Sequence, residues 1–156
     1  MGNIRIEKIV SGGQTGADRA GLDWALEHHI LHGGWCPKGR KAEDGRIPEK
    51  YRLQETPSAD YTERTESNVR DSDATAIFTD TIELSGGSLL TAHLAAKHRK
   101  AWVLVPRGGE GIKQFVDFLS FHKPKVLNVA GLRASQAPDI GRWVKLVLDS
   151  VLNDKS

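Results

Sequence analysis

The chain has 156 residues, enough for one domain with its own buried core and few for two. With 38% hydrophobic and 27% charged residues the balance is globular, which rules out wholesale disorder, and the longest apolar runs fall far short of a membrane span. A formal net charge of +2 gives no argument for a nucleic-acid or membrane partner, so any anion site is a local feature.

Ile4–Val10 (IRIEKIV) alternates and then turns apolar, as a strand entering a buried sheet does, and the glycine-rich SGGQTGAD follows at once. Asp18 is placed to cap a helix beginning near Arg19 and ending at His28 and His29. From Leu31 to Pro57 the chain is dense in Gly, Pro and charge and reads as a long functional loop with at most short strands. Ser58–Ser72 is helix-compatible, yet Tyr61 and Val69 are nearly its only large apolar residues. Three strand and helix pairs follow: Ala74–Phe78 with Ser88–Lys97, Ala101–Val105 with Ile112–Phe121, and Val126–Val129 with Asp139–Asn153. Strands alternating with helices imply right-handed βαβ units. The expected fold is a single Rossmann-like, doubly wound domain, with a mainly parallel sheet of about five strands and helices on both faces.

Ligands of such sheets bind at the carboxyl ends of the strands, where Ser11–Asp18, Thr79–Ser88 and Ala130–Pro138 lie. Gly12, Gly13 and Gly16 let backbone N–H groups approach an anion at a helix start, and Ser11, Gln14 and Thr15 add side-chain donors. The loop fits neither the Walker A nor the dinucleotide pattern, so phosphate binding stands beside a purely structural turn. Gly86 and Gly87 repeat the arrangement, with Ser88 the expected cap of the next helix. In the long loop Trp35 offers a stacking surface, and Lys38, Arg40 and Lys41 offer charge, as a lid over a planar phosphorylated ligand would. Tyr61, Arg64, Thr65, Asn68 and Ser72 share one helical face, either lining a ligand site or facing solvent. Cys36, the lone cysteine, reads as a buried thiol, and His28, His29 and His32 do not converge as metal ligands. Arg133, after the last strand, completes the candidate set.

The motifs SGGQTGADRAGLDWAL, HGGWCPKGRKAEDG, ETPSADYTERTESNVRDSD, SGGSLLT and LNVAGLRAS, in that order from about Ile9 to Asp139, resemble the molybdenum carrier family. That family is the circularly permuted YpsA-like branch of the SLOG group of nucleotide-ligand sensors, with more distant relatives among the Lonely Guy phosphoribohydrolases. The resemblance implies a Rossmann-like domain that binds molybdenum cofactor of the molybdopterin type or a nucleotide. It puts the phosphate loops on Gly12, Gly13, Gln14, Thr15 and Gly16 and on Gly86, Gly87, Ser88 and Thr91. The hydrolases' PGG-x-GT-x-x-E motif fails here, because Leu89, Leu90 and His93 stand where its glycine, threonine and glutamate belong. Binding without hydrolysis is therefore favoured. The alternatives are a nucleoside monophosphate phosphoribohydrolase using Asp18, Asp71 or Glu83, and a sensor acting through a protein partner. A cytoplasmic location is expected from the absence of a signal-peptide core in MGNIRIEK, and a homodimer or larger assembly from analogy.

Overall fold

The computed structural model describes residues 4–152. In chain order the elements are β1 (Lys8–Val10), α1 (Ala17–Glu27), β2 (Leu31–Gly33), β3 (Trp35–Cys36), β4 (Lys41–Ala42), β5 (Gly45–Arg46) and β6 (Gln54–Glu55). There follow α2 (Tyr61–Arg70), β7 (Ala74–Thr79), α3 (Gly86–Lys97), β8 (Ala101–Pro106), α4 (Gly109–His122), β9 (Val126–Gly131) and α5 (Ile140–Leu152). Five strands form one parallel sheet in the order β2-β1-β9-β7-β8, with Val10 opposite both Gly33 and Asn128, and Thr75 opposite both Trp102 and Asn128. The architecture is the Rossmann-like one expected from the βαβ alternation. Chain progress runs outward from β1 to β2 on one side and from β7 to β8 on the other, and β9 returns between them. The carboxyl ends of β1, β9 and β7 thus flank the divergence where ligands of open α/β sheets bind.

Why β7 is central is visible in its residues: all six of ATAIFT are buried, as a strand covered on both faces requires. α5 contributes the largest apolar stripe, burying Ile140, Trp143, Val144, Val147 and Leu148 in the core that also holds Trp24, Phe78 and Phe115. α1 approaches β9 so closely that a Cβ on Gly21 would lie 2.9 Å from Val129. A second, smaller core of Leu22, Cys36, Ala42, Ile47 and Tyr51 organises the segment between β2 and α2. No helix among the described residues is long and apolar enough to cross a membrane.

Several boundaries differ from the sequence expectation. Only Lys8–Val10 of the expected Ile4–Val10 strand joins the sheet, although Ile4 and Ile6 still pack on its core. The long loop supplies the edge strand β2, whose three residues pair with β1 through backbone groups that carry little side-chain signal. Asp18 is not the cap of α1: Gly16 occupies that position, and Asp18 lies in the first turn. Ser88 is likewise displaced from the cap it was expected to be. α3 starts one turn earlier at Ser85, whose N–H donates to Ser88 Oγ at 3.0 Å, so Ser88 closes a capping box from inside the helix.

Candidate functional site

A predominantly polar cleft opens at the carboxyl edge of the sheet, with about 90 Å³ of water-accessible space. Its floor is the end of β9, from Asn128 to Gly131, and continues into Leu132, Arg133 and Gln136. One wall is Gly12, Gln14 and Asp18, and the facing wall is Ser85, Gly87, Ser88 and Thr91 at the start of α3. α2 closes the side with Arg64, Thr65 and Asn68, which answers why this helix is so poor in apolar residues: its inward face is the side of a polar site.

Arg64 is the centre of this arrangement. Asp60 caps α2 by accepting the Thr62 N–H at 2.9 Å, which fixes the helix so that Arg64 reaches across the cleft to donate from Nη1 to Asp18 Oδ2 at 2.7 Å. Both side chains are buried, and Arg64 Nε has no hydrogen-bond partner among the described residues. Gln14, 5% exposed, shows the same pattern: its Oε1 accepts the N–H groups of Thr15 (3.1 Å) and Glu43 (2.8 Å), while Nε2 is left without a partner. Leaving a buried donor unpaired costs about 1–3 kcal/mol, more when it is charged, so two such donors in one cleft indicate a site built for an acceptor. The amides of Gly86 and Gly87 at the α3 start add donors without intrahelical partners, while those of Ser88 and Leu89 donate to the Ser85 carbonyl at 3.1 and 3.4 Å. Burial, opposed by the Arg64 guanidinium, pushes the Asp18 carboxyl above the ordinary carboxylate range.

The structure gathers Gly12, Gln14, Arg64, Asn68, Gly87, Ser88, Thr91 and Arg133 from the candidate set around this cleft, with Gly86 adjacent at the α3 start. Within the first glycine loop the geometry departs from a bare anion cradle. The Gly13 N–H donates to Ser11 Oγ (3.3 Å), that of Gln14 to Asp18 Oδ2 (3.3 Å), and the buried Ser11 hydroxyl to the Asp18 carbonyl (2.9 Å). Gly13 has φ 78° and faces the smaller core, where a Cβ would meet Leu53 and Ile47 at 2.7 and 2.9 Å. Thr15 donates to Glu43 and accepts the Ala134 N–H at 3.1 Å, and Gly16 caps α1. Arg64 and Gln14 therefore present the donors that the amides of this loop were expected to offer.

Of the expected lid, Trp35, Lys38 and Arg40 do not line the cleft. Trp35 donates from its indole to Asp71 at 2.9 Å and lies outside the lining, and Lys38 is exposed away from it. Arg40 is buried for a structural reason, donating to the carbonyls of Ile47, Pro48, Tyr51 and Leu53 at 2.7–3.4 Å and so tying one loop together. Asn68 clamps the backbone of Trp35 in both directions, at 2.8 and 2.9 Å. Burial raises the Cys36 thiol's pKa, as an inert core cysteine requires. His28 stacks on Trp24 with centroids 4.1 Å apart, and His32 accepts from the Arg52 N–H. His93, which stands at the position of the hydrolases' glutamate, is exposed and outside the cleft. Ser85, Asn128, Gly131 and Gln136 are lining residues that sequence reasoning did not select, and Asp18 entered it only as a helix cap and as an acid of the hydrolase alternative; Asn128, a polar residue inside an apolar strand, was the one visible signal among the four.

The Trp35 contact gives a pH expectation. Arg70 and then the Trp35 indole hold Asp71 down at about 2, below its unfolded value of 3.8. The stabilisation is present above pH 3.8 and is lost as pH falls toward 2. With both ion-pair partners half-exposed, it amounts to less than about 1 kcal/mol. Asp71→Asn should remove this part of the acid dependence, read as the urea midpoint at pH 5 and pH 2.5.

The family described as the circularly permutated YpsA SLOG family matches residues 9–152. The chain belongs to that family. Among solved structures, the crystal structure of the "Putative molybdenum carrier protein" from Syntrophus aciditrophicus SB is similar at 46% identity and a TM-score of 0.92, covering 97% of this chain and 98% of that one. No curated protein shows a significant match to the sequence. The family's Rossmann-like character and the mainly parallel sheet of this SLOG domain agree, and the site lies where the strands diverge.

Proposed function

We propose that this chain is a single-domain binding or carrier protein that holds the anionic end of a phosphorylated heterocycle, either molybdenum cofactor of the molybdopterin type or a nucleotide derivative. The observation that carries the reading is the pair of buried, unpartnered donors, Arg64 Nε and Gln14 Nε2, lining one cleft beside the α3 N-terminus. The cleft's size sets how the ligand sits. At about 30 Å³ per water, its 90 Å³ accepts a phosphate-sized group and leaves the ring at the mouth. Arg64, Gln14 and the amide of Gly87 would hold that group, matching donors to anionic oxygens.

The donor set also fits the anionic part of molybdenum cofactor better than its metal. The lining offers N–H and O–H groups, while neither cysteine nor histidine is among its residues. When bound, the cofactor would supply redox chemistry to a recipient enzyme, and this chain would bind, orient and shield its phosphate. The relative described as a molybdenum carrier supports the choice of ligand class. Carriage without hydrolysis is supported by the position of His93 outside the cleft and by the pairing of Asp18 with Arg64. A cytoplasmic homodimer completes the proposal, and a sedimentation mass of twice 17.1 kDa checks its assembly.

The test is thermal: nucleoside monophosphates should raise Tm while the matching nucleosides do so far less. At about 100 times Kd the stabilisation is about 2.7 kcal/mol, or roughly 5–10 °C in a domain of this size. No free base should be released. Equal shifts for both sets would overturn the reading, and mass spectrometry of small molecules retained through purification would identify the ligand.

A further inference from the structure

At the rim of the cleft three cations surround one aromatic ring. Lys41 Nζ lies 5.0 Å from the Tyr61 centroid, and the guanidinium carbons of Arg64 and Arg133 each lie 5.4 Å from it. No two of these charges are therefore separated by more than about twice that distance. Arg64 is compensated by Asp18, whereas neither Lys41 nor Arg133 forms an ion pair among the described residues. Two carboxylates feel the charge of Arg133, those of Asp18 and Glu43, and both are already engaged.

Glu43 is the more telling of the two. Its carboxylate accepts the Ser135 N–H (3.1 Å), the Ser135 hydroxyl (2.6 Å) and the Thr15 hydroxyl, and its own N–H donates to Gln14. It thereby latches two segments together, one carrying Lys41 two residues before it and the other carrying Arg133 two residues before Ser135. Glu43 feels the charge of Arg133, but its carboxylate oxygens are occupied in holding the two segments together and form no ion pair with either cation among the described residues. Like charges held at this spacing repel, and the arrangement is relieved when an anion from outside enters between them.

We infer that Lys41 and Arg133, gathered around Tyr61, form an outer anion subsite, so that the ligand carries two anionic groups in sequence, as a phosphoanhydride does. The inner group sits against Arg64, Gln14 and the start of α3, and the outer group sits between Lys41 and Arg133. This inference rests on the anion-binding reading of the inner cleft and specifies its ligand class.

The test compares inorganic phosphate with inorganic pyrophosphate by calorimetry at fixed ionic strength. The wild-type protein should bind pyrophosphate at least about tenfold more tightly than phosphate. The double variant Lys41→Gln, Arg133→Gln should lose most of the pyrophosphate advantage, read as the ratio of the pyrophosphate and phosphate affinities in the same protein. A control, Lys113→Gln with Lys125→Gln, removes the same charge at residues outside the cleft lining and should retain the advantage. Phosphate binding without any preference for pyrophosphate, or a preference that survives in the double variant, overturns the outer subsite and leaves the inner one standing. Binding of neither anion to the wild type overturns both.

Discussion

Gly12→Ala is expected to abolish ligand-induced stabilisation and to lower the stability of the free protein by about 3 kcal/mol. A Cβ at this position would lie 1.7 Å from Arg64 Nη1, 2.7 Å from its Cζ and 2.8 Å from its Cδ, so the guanidinium must leave its place. Gly12 is not in the left-handed region, and alanine therefore fits the backbone while evicting the side chain that crosses it. Asp18 is then left buried without its cation, which is the source of the stability loss. Calorimetric unfolding with and without a phosphorylated probe reads both effects. Gly109→Ala is the control, with no neighbour within 4 Å of its Cβ and no positive φ, and should leave both nearly unchanged. A Gly12→Ala protein that retains the full ligand shift would remove Arg64 from the site.

Asp18→Asn should move stability and affinity in opposite directions. Removing the carboxylate leaves the Arg64 charge buried without its partner, but it also relieves the burial of a carboxylate, so the free protein should lose less stability than Gly12→Ala does. The same uncompensated guanidinium attracts an incoming anion more strongly, so phosphate should bind about tenfold or more tightly and recover part of the lost stability. A pH dependence follows. Because burial raises the Asp18 pKa, the folded state holds its proton above pH 3.8 more readily than the unfolded chain. The contribution of Asp18 to stability therefore falls as pH rises through that window, and anion affinity climbs as pH falls and the carboxyl protonates. In Asp18→Asn that pH dependence should flatten. Weaker phosphate binding in the variant would show instead that Asp18 positions Arg64 for the ligand.

Sequence and tertiary structure divide the molecule along physical lines. Hydrophobic periodicity is local, so it identified β7, β8, β9 and α5, and the strand and helix alternation was enough to imply a parallel, doubly wound sheet. Glycine clusters before helices identified the sheet edge for a similar reason, since an open loop at a helix start is encoded within a few adjacent residues. Arg64 and Asn68 were legible as polar residues on a helix face that ought to dock. What each polar group meets depends on partners distant in the chain. Asp18 read as a cap and became the partner of Arg64, 46 positions away, and Arg40 read as a ligand cation and became a hub for four loop carbonyls. Trp35 met Asp71 where a ligand ring was expected. Local sequence determined the scaffold, because apolar spacing and helix starts are short-range properties. Only the tertiary structure decided which donors stay unpaired, because pairing is settled by the packing of α2 against the first glycine loop, and those donors mark the candidate site.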